Sequence, residues 1–171
     1  MAKSSNGAYE STPLGMLGAF LFSLLGGVAH VLFSFTGYSI FAIGTGYLIA
    51  LLALIGYEKF TYAKTMKGIK VSAIVASAVL VLSWYIAFVI GAYNFIIQFE
   101  ENTLNSVWEY IPYSFLDIVV DPNRILPLFL GMIGGAFAMW QFYQKWIKEP
   151  KNKKEDNTPK EKPRSLHHID D

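Results

Sequence analysis

Charge is absent from this chain over four long stretches, roughly residues 13–35, 37–57, 71–99 and 125–144. A bilayer core about 30 Å thick is crossed by roughly 20 apolar helical residues rising 1.5 Å each, so every stretch is long enough to span. The charges between these gaps are sorted by side. If the N-terminus is cytoplasmic, four spans also put the 58–70 loop and the C-terminal segment inside. Lys3, Lys59, Lys64, Lys67, Lys70 and the basic residues of Lys145–Arg164 then share one side, and of 14 Lys and Arg only Arg124 lies opposite. It stands there among Glu100, Glu101, Glu109, Asp117 and Asp121. This is the positive-inside bias, and it predicts a multi-pass protein of the cell membrane with both termini cytoplasmic.

Composition narrows the rest. Hydrophobic residues make up 53% of 171, which fits an integral membrane protein and leaves little room beside four spans for a soluble domain. No cysteine is present, which removes disulfides, thiolate metal sites, a cysteine nucleophile and a lipoprotein anchor. The first apolar stretch is longer than a signal-peptide core and leads straight into a second span, so it reads as a permanent helix.

The expected fold is all-α, an integral membrane bundle of four transmembrane helices. Residues 1–12 read as a disordered N-terminus, 13–147 as the four-helix domain, and 148–171 as a flexible charged cytoplasmic tail. Spans are expected at about 13–35, 38–58, 70–97 and 123–146. Thr12-Pro13 marks the first start, with Thr able to cap and Pro tolerated at the first helical position. Thr36-Gly37-Tyr38 leaves room only for a tight turn, so helices one and two form a hairpin, and helix two ends at Tyr57-Glu58-Lys59. The third stretch exceeds the core thickness and calls for tilt or protrusion. Asp121-Pro122 announces the fourth helix, and Trp140, Tyr143 and Trp146 beside Lys145 and Lys148 form an aromatic belt at its inner end. Within 100–121, Leu104, Val107, Trp108, Ile111 and Phe115 recur at helical spacing, which predicts an amphipathic segment on the outer face.

Small residues supply the main packing signal. Gly15, Ala19, Ser23 and Gly27 stand four apart in the first helix, as do Ala42, Gly46 and Ala50 in the second and Gly131 and Gly135 in the fourth. Such faces let helix backbones approach closely in lipid, either inside the bundle or against a partner. A short echo, Leu14-Gly15-Met16-Leu17-Gly18 against Leu130-Gly131-Met132-Ile133-Gly134, fits a trace of an inverted repeat or convergent packing.

Intramembrane polar residues are the functional candidates, and here they are His30 and Asn94. For His30 the bland expectation is a neutral ring bonded to a backbone carbonyl or turned to the interface. Span serines return their hydroxyls to the preceding turn. No Asp, Glu, Lys or Arg lies within a span, so no proton relay or coupled ion site is foreseen. Metalloprotease, nucleophile-elbow and phosphate-loop patterns are all missing, so no catalytic, cofactor-binding or metal residue is assigned. His167-His168 with Asp170-Asp171 lacks the preorganisation that a metal site needs. Nucleic acid is not an expected partner.

The glycines Gly15, Gly18, Gly26 and Gly27, followed by Gly37-Tyr38, Gly56-Tyr57-Glu58 and Lys67-Gly68, resemble a loose group of small four-helix membrane proteins from low-GC Gram-positive bacteria. The similarity covers roughly residues 14–147. It implies the architecture and supplies no catalytic residue. The functional expectation is a non-enzymatic accessory or structural subunit in the bilayer. It would bind another membrane protein, or itself, through the small-residue faces. The alternative is a small oligomeric channel or transporter.

Overall fold

The computed structural model describes residues 11–37, 39–99 and 122–148. Among the described residues it is all-helical. The elements are α1 (Thr12–Ser34), α2 (Phe41–Thr61), α3 (Met66–Phe99) and α4 (Pro122–Tyr143), the last continuing into a π-helical turn, Gln144–Lys148. Four stretches, Thr12–Ser34, Phe41–Thr61, Met66–Asn94 and Ile125–Lys148, are long and apolar enough to cross a membrane. The amphipathic segment expected at 100–121, the cap expected from Asp121, the polar N-terminus before residue 11 and the tail after residue 148 lie outside the described residues.

Local chemistry sets the helix ends, and it moves several of them. α1 begins at Thr12 itself, with Pro13 in its first turn; Ser11 occupies the cap position without a side-chain cap bond. Thr12 is therefore helical and not the cap. At the other end the Ser34 hydroxyl donates to His30 O at 2.7 Å and Thr36 Oγ1 donates to Phe33 O at 2.7 Å. Gly37, at φ 77°, then reverses the chain in a region that costs L-residues about 1–2 kcal/mol.

α2 runs on to Thr61, beyond the Tyr57–Lys59 end expected from charge. Charges mark where water begins, but a helix keeps its own hydrogen bonds in water too. What closes α2 is Tyr62 in the left-handed region (φ 52°), with its N–H bonded to Glu58 O at 2.7 Å. α3 starts at Met66, four residues before the expected 70, because Thr65 Oγ1 caps it by accepting from Gly68 N at 3.0 Å. At 34 residues α3 is about 51 Å long, well beyond a bilayer core.

α2 is the hub of the bundle. It packs most extensively against α1 and α4, while α3 lies against both α1 and α2 and has its smallest contact with α4. The main core is built largely of small side chains, Ala19, Ala50, Ala53, Ala76 and Ala138, with Ile49, Val75, Val79 and Leu80 between them. Tyr57, 0% exposed, is the largest fully buried side chain. Its ring fills the space over Gly15 of α1 and Gly68 of α3, joining three helices at one end. Outside, Leu25, Val28, Leu32, Ile74 and Ile133 are exposed, so the surface is as apolar as the interior.

Trp146 departs from the expected aromatic belt. It is buried with Leu54 and Ile69, with Phe142 edge-on at 5.3 Å. The π-turn explains this: one extra residue per turn advances the following side chains by about 100°, which swings Trp146 inward. Trp140 remains exposed. Because helices consecutive in the chain alternate in direction, Lys59, Lys64, Lys67, Lys70, Lys145 and Lys148 all gather at the Tyr57 end. There Lys64 and Glu58 pair at 3.1 Å on the surface, a contact contributing about 0–1 kcal/mol.

Candidate functional site

The small residues named from spacing are placed in contacts between helices of this chain. A side chain on Gly15 would meet Tyr57 and Thr61 of α2, and one on Gly27 would meet Val79 of α3 at 3.1 Å. Ala19 and Ser23 lie between them, fully buried, with Ser23 Oγ donating to Phe20 O at 2.9 Å. In α2, Ala42 and Ala50 are buried and Gly46 lies directly on the Gly131 backbone of α4. Gly135 is less crowded: a side chain there would find Gly46 O at 3.6 Å and the Ala50 methyl at 3.7 Å. Three contacts escaped the spacing argument: Gly18 pressed on Gly56, Gly26 on the Ile49 backbone, and Gly134 on Ile43 O. The five-residue echo thus has a packing account, since Gly18 and Gly134 each seat a helix on the α2 backbone.

Where α3 and α4 meet loosely they leave a groove of about 430 Å³. Gly46, Ala50, Gly131 and Gly135 line it, together with Ala73, Ala76, Ser77 and Leu80 of α3 and Met132, Ala136 and Met139 of α4. Its lining is apolar and mostly small, and the two methionines are adaptable in shape. Such a surface suits close contact with an apolar helix or chain and offers little for polar chemistry.

The second feature lies at the opposite end from Tyr57. His30 is 1% exposed, and its Nδ1 is 2.7 Å from Thr45 Oγ1 across the α1–α2 contact. The ring is therefore bonded neither to a backbone carbonyl nor turned to an interface: α2 places a hydroxyl opposite it, which a reading of one helix at a time does not see. Thr45 Oγ1 is also 3.1 Å from Phe41 O and 3.2 Å from Ala42 O. His30 Nε2 is buried without a hydrogen-bond partner. A cleft of about 200 Å³ adjoins the pair, lined by His30, Phe33, Ser34, Gly37, Ser39, Phe41, Ala42, Thr45 and Pro127. Asn94 is exposed on α3 and is not among these walls.

Of the span serines, Ser34 and Ser83 bond back to the preceding turn as expected, but Ser72 Oγ turns to Ala53 O of α2 at 3.4 Å. Tyr47 Oη donates to Gln141 Oε1 at 2.8 Å, a polar link between α2 and α4 that sequence reasoning missed. Among the described residues no three His, Asp or Glu side chains come together as a metal site would require. No family model, no curated protein and no solved structure matches this chain, so its own geometry carries the functional argument.

Proposed function

We propose that this chain is a non-enzymatic subunit of the cell membrane, with both ends cytoplasmic, that binds a transmembrane helix of another membrane protein or of a second copy of itself. The observation that carries the reading is the groove between α3 and α4. Most of the small residues of α1 and α2 are occupied by contacts inside the bundle, whereas Ala73, Ser77 and Ala136 line the groove. In lipid, helices associate by van der Waals fit, and a small-walled groove on an otherwise bulky apolar surface is where a further helix approaches most closely. The one-sided lysines support the orientation, since the positive end of a bundle stays cytoplasmic.

The test is purification in mild detergent followed by intact-complex mass measurement of the parent and of Ser77→Trp. The expected result is a parent bound to a second protein or to its own copy, and a variant of unchanged helix content that has lost it. A parent that runs alone, or a Ser77→Trp variant that keeps its partner, would remove the reading.

The second reading, a small oligomeric channel or transporter, has the buried His30–Thr45 pair and its cleft in its favour. A histidine on a transport path confers a pH response between about 5 and 8. Flux in reconstituted vesicles that depends on pH in that range and is abolished by His30→Gln would establish it over the first.

A further inference from the structure

The bond between His30 and Thr45 can be drawn two ways, and the surroundings decide between them. A threonine hydroxyl carries one hydrogen. If it points at His30 Nδ1, the ring proton sits on Nε2 as a buried donor with no partner, a rare and costly arrangement. If Thr45 instead donates to the carbonyls of Phe41 and Ala42, 3.1 and 3.2 Å away, Nδ1–H donates to Thr45 Oγ1. Every polar hydrogen of the pair is then used. What remains unpaired is only the Nε2 lone pair, an acceptor buried beside the cleft.

A group that completes this site must therefore donate a hydrogen bond. It must also be neutral, because among the described residues no wall of the cleft carries a charge that could balance an ion away from water. Among the hydroxyls of the walls, those of Ser34 and Thr45 have carbonyl acceptors in this chain, while that of Ser39 has none among the described residues. Phe33 and Phe41, with ring centres 5.4 Å apart, add an apolar wall. Both rings are about half exposed. A cleft of about 200 Å³ is smaller than the usual pocket for a drug-sized ligand and matches a compact polar head.

We infer that the His30–Thr45 cleft is a binding site for a neutral hydroxyl-bearing head of the glycerol type, whose O–H donates to His30 Nε2. The source is either a membrane lipid such as a diacylglycerol or a small free diol, since both offer the same group. The site is independent of the α3–α4 groove and stands or falls separately from partner binding.

The test is 15N-histidine NMR of the full chain in phosphatidylcholine nanodiscs, a lipid whose headgroup has no donor. His30→Leu identifies the His30 signals against those of His167 and His168. The expected result is an unprotonated Nε2 in the phosphatidylcholine state and a saturable shift of that signal on adding either probe. A shift with dioctanoylglycerol alone assigns the lipid source, and one with propane-1,2-diol alone assigns the soluble source. Saturable dioctanoylglycerol or diol binding should fall about tenfold in Thr45→Val, which frees the ring while leaving Nε2 in place. A proton found on Nε2, or a signal that answers to water only and to neither probe, overturns the proposal; both are read on the parent protein and do not depend on any variant folding.

Discussion

At the scale of single residues, the distances around two glycines of one contact predict opposite responses to the same substitution. A methyl on Gly46 would drive into the Gly131 backbone, which has no side chain to move aside. Gly46→Ala should cost about 1–3 kcal/mol, the usual range for overpacking, seen as a lower unfolding midpoint in detergent. On Gly135 the same methyl would find its neighbours at 3.6 and 3.7 Å, ordinary contact distance. Gly135→Ala should then be neutral or stabilising by up to about 1 kcal/mol, the helix propensity difference. Equal effects at the two positions would mean that α2 and α4 do not meet as described. Spacing in the sequence put both residues on small faces, but it could not rank them. Crowding depends on which backbone arrives opposite, and that is set by a helix more than 80 residues away.

At the scale of helices, the four long apolar stretches are helical as expected, and the misses over which way a helix faces share a physical cause. Four helices long and apolar enough to cross a membrane are legible because transfer into lipid depends on length and apolarity summed along the chain. Which way each helix faces is far less legible, because lipid and protein interior are equally apolar and the one-sided pattern of a water-exposed helix disappears. Small residues were the remaining marker of a face, and they led to the α1–α2 and α2–α4 contacts. The partner of His30 was out of reach for the same reason: nothing in α2 alone says that Thr45 points at α1. The early start of α3 was readable, since Thr65 before Met66-Lys67-Gly68 is an ordinary capping signal that the charge pattern outweighed. The end of α2 invites a direct test. Tyr62 is left-handed and 81% exposed, so its side chain contributes little to packing there. Tyr62→Gly should relieve about 1 kcal/mol of backbone strain, less the extra freedom gained by the unfolded chain, and raise the thermal midpoint. A lower midpoint would show that the exposed ring makes contacts outside this chain.

At the scale of the whole molecule, the four helices and the clustered lysines make a topological prediction. A reporter fused after Lys154 should be cytoplasmic and one inserted near Asn105 external; finding both on one side would remove the four-span arrangement. The helices do not contribute equally to the bundle. Tyr57 ties α1, α2 and α3 together at one end, whereas α4 is held mainly along α2 and stands off from α3. The chain emerges from the ribosome in order, so the three helices around Tyr57 can meet before α4 has been made. The last helix then docks on a surface that already exists, and its bond to that surface is the one most easily undone. Amide protection should fall off in α4 first, and the bundle should open along the α3–α4 seam like a door hung on α2.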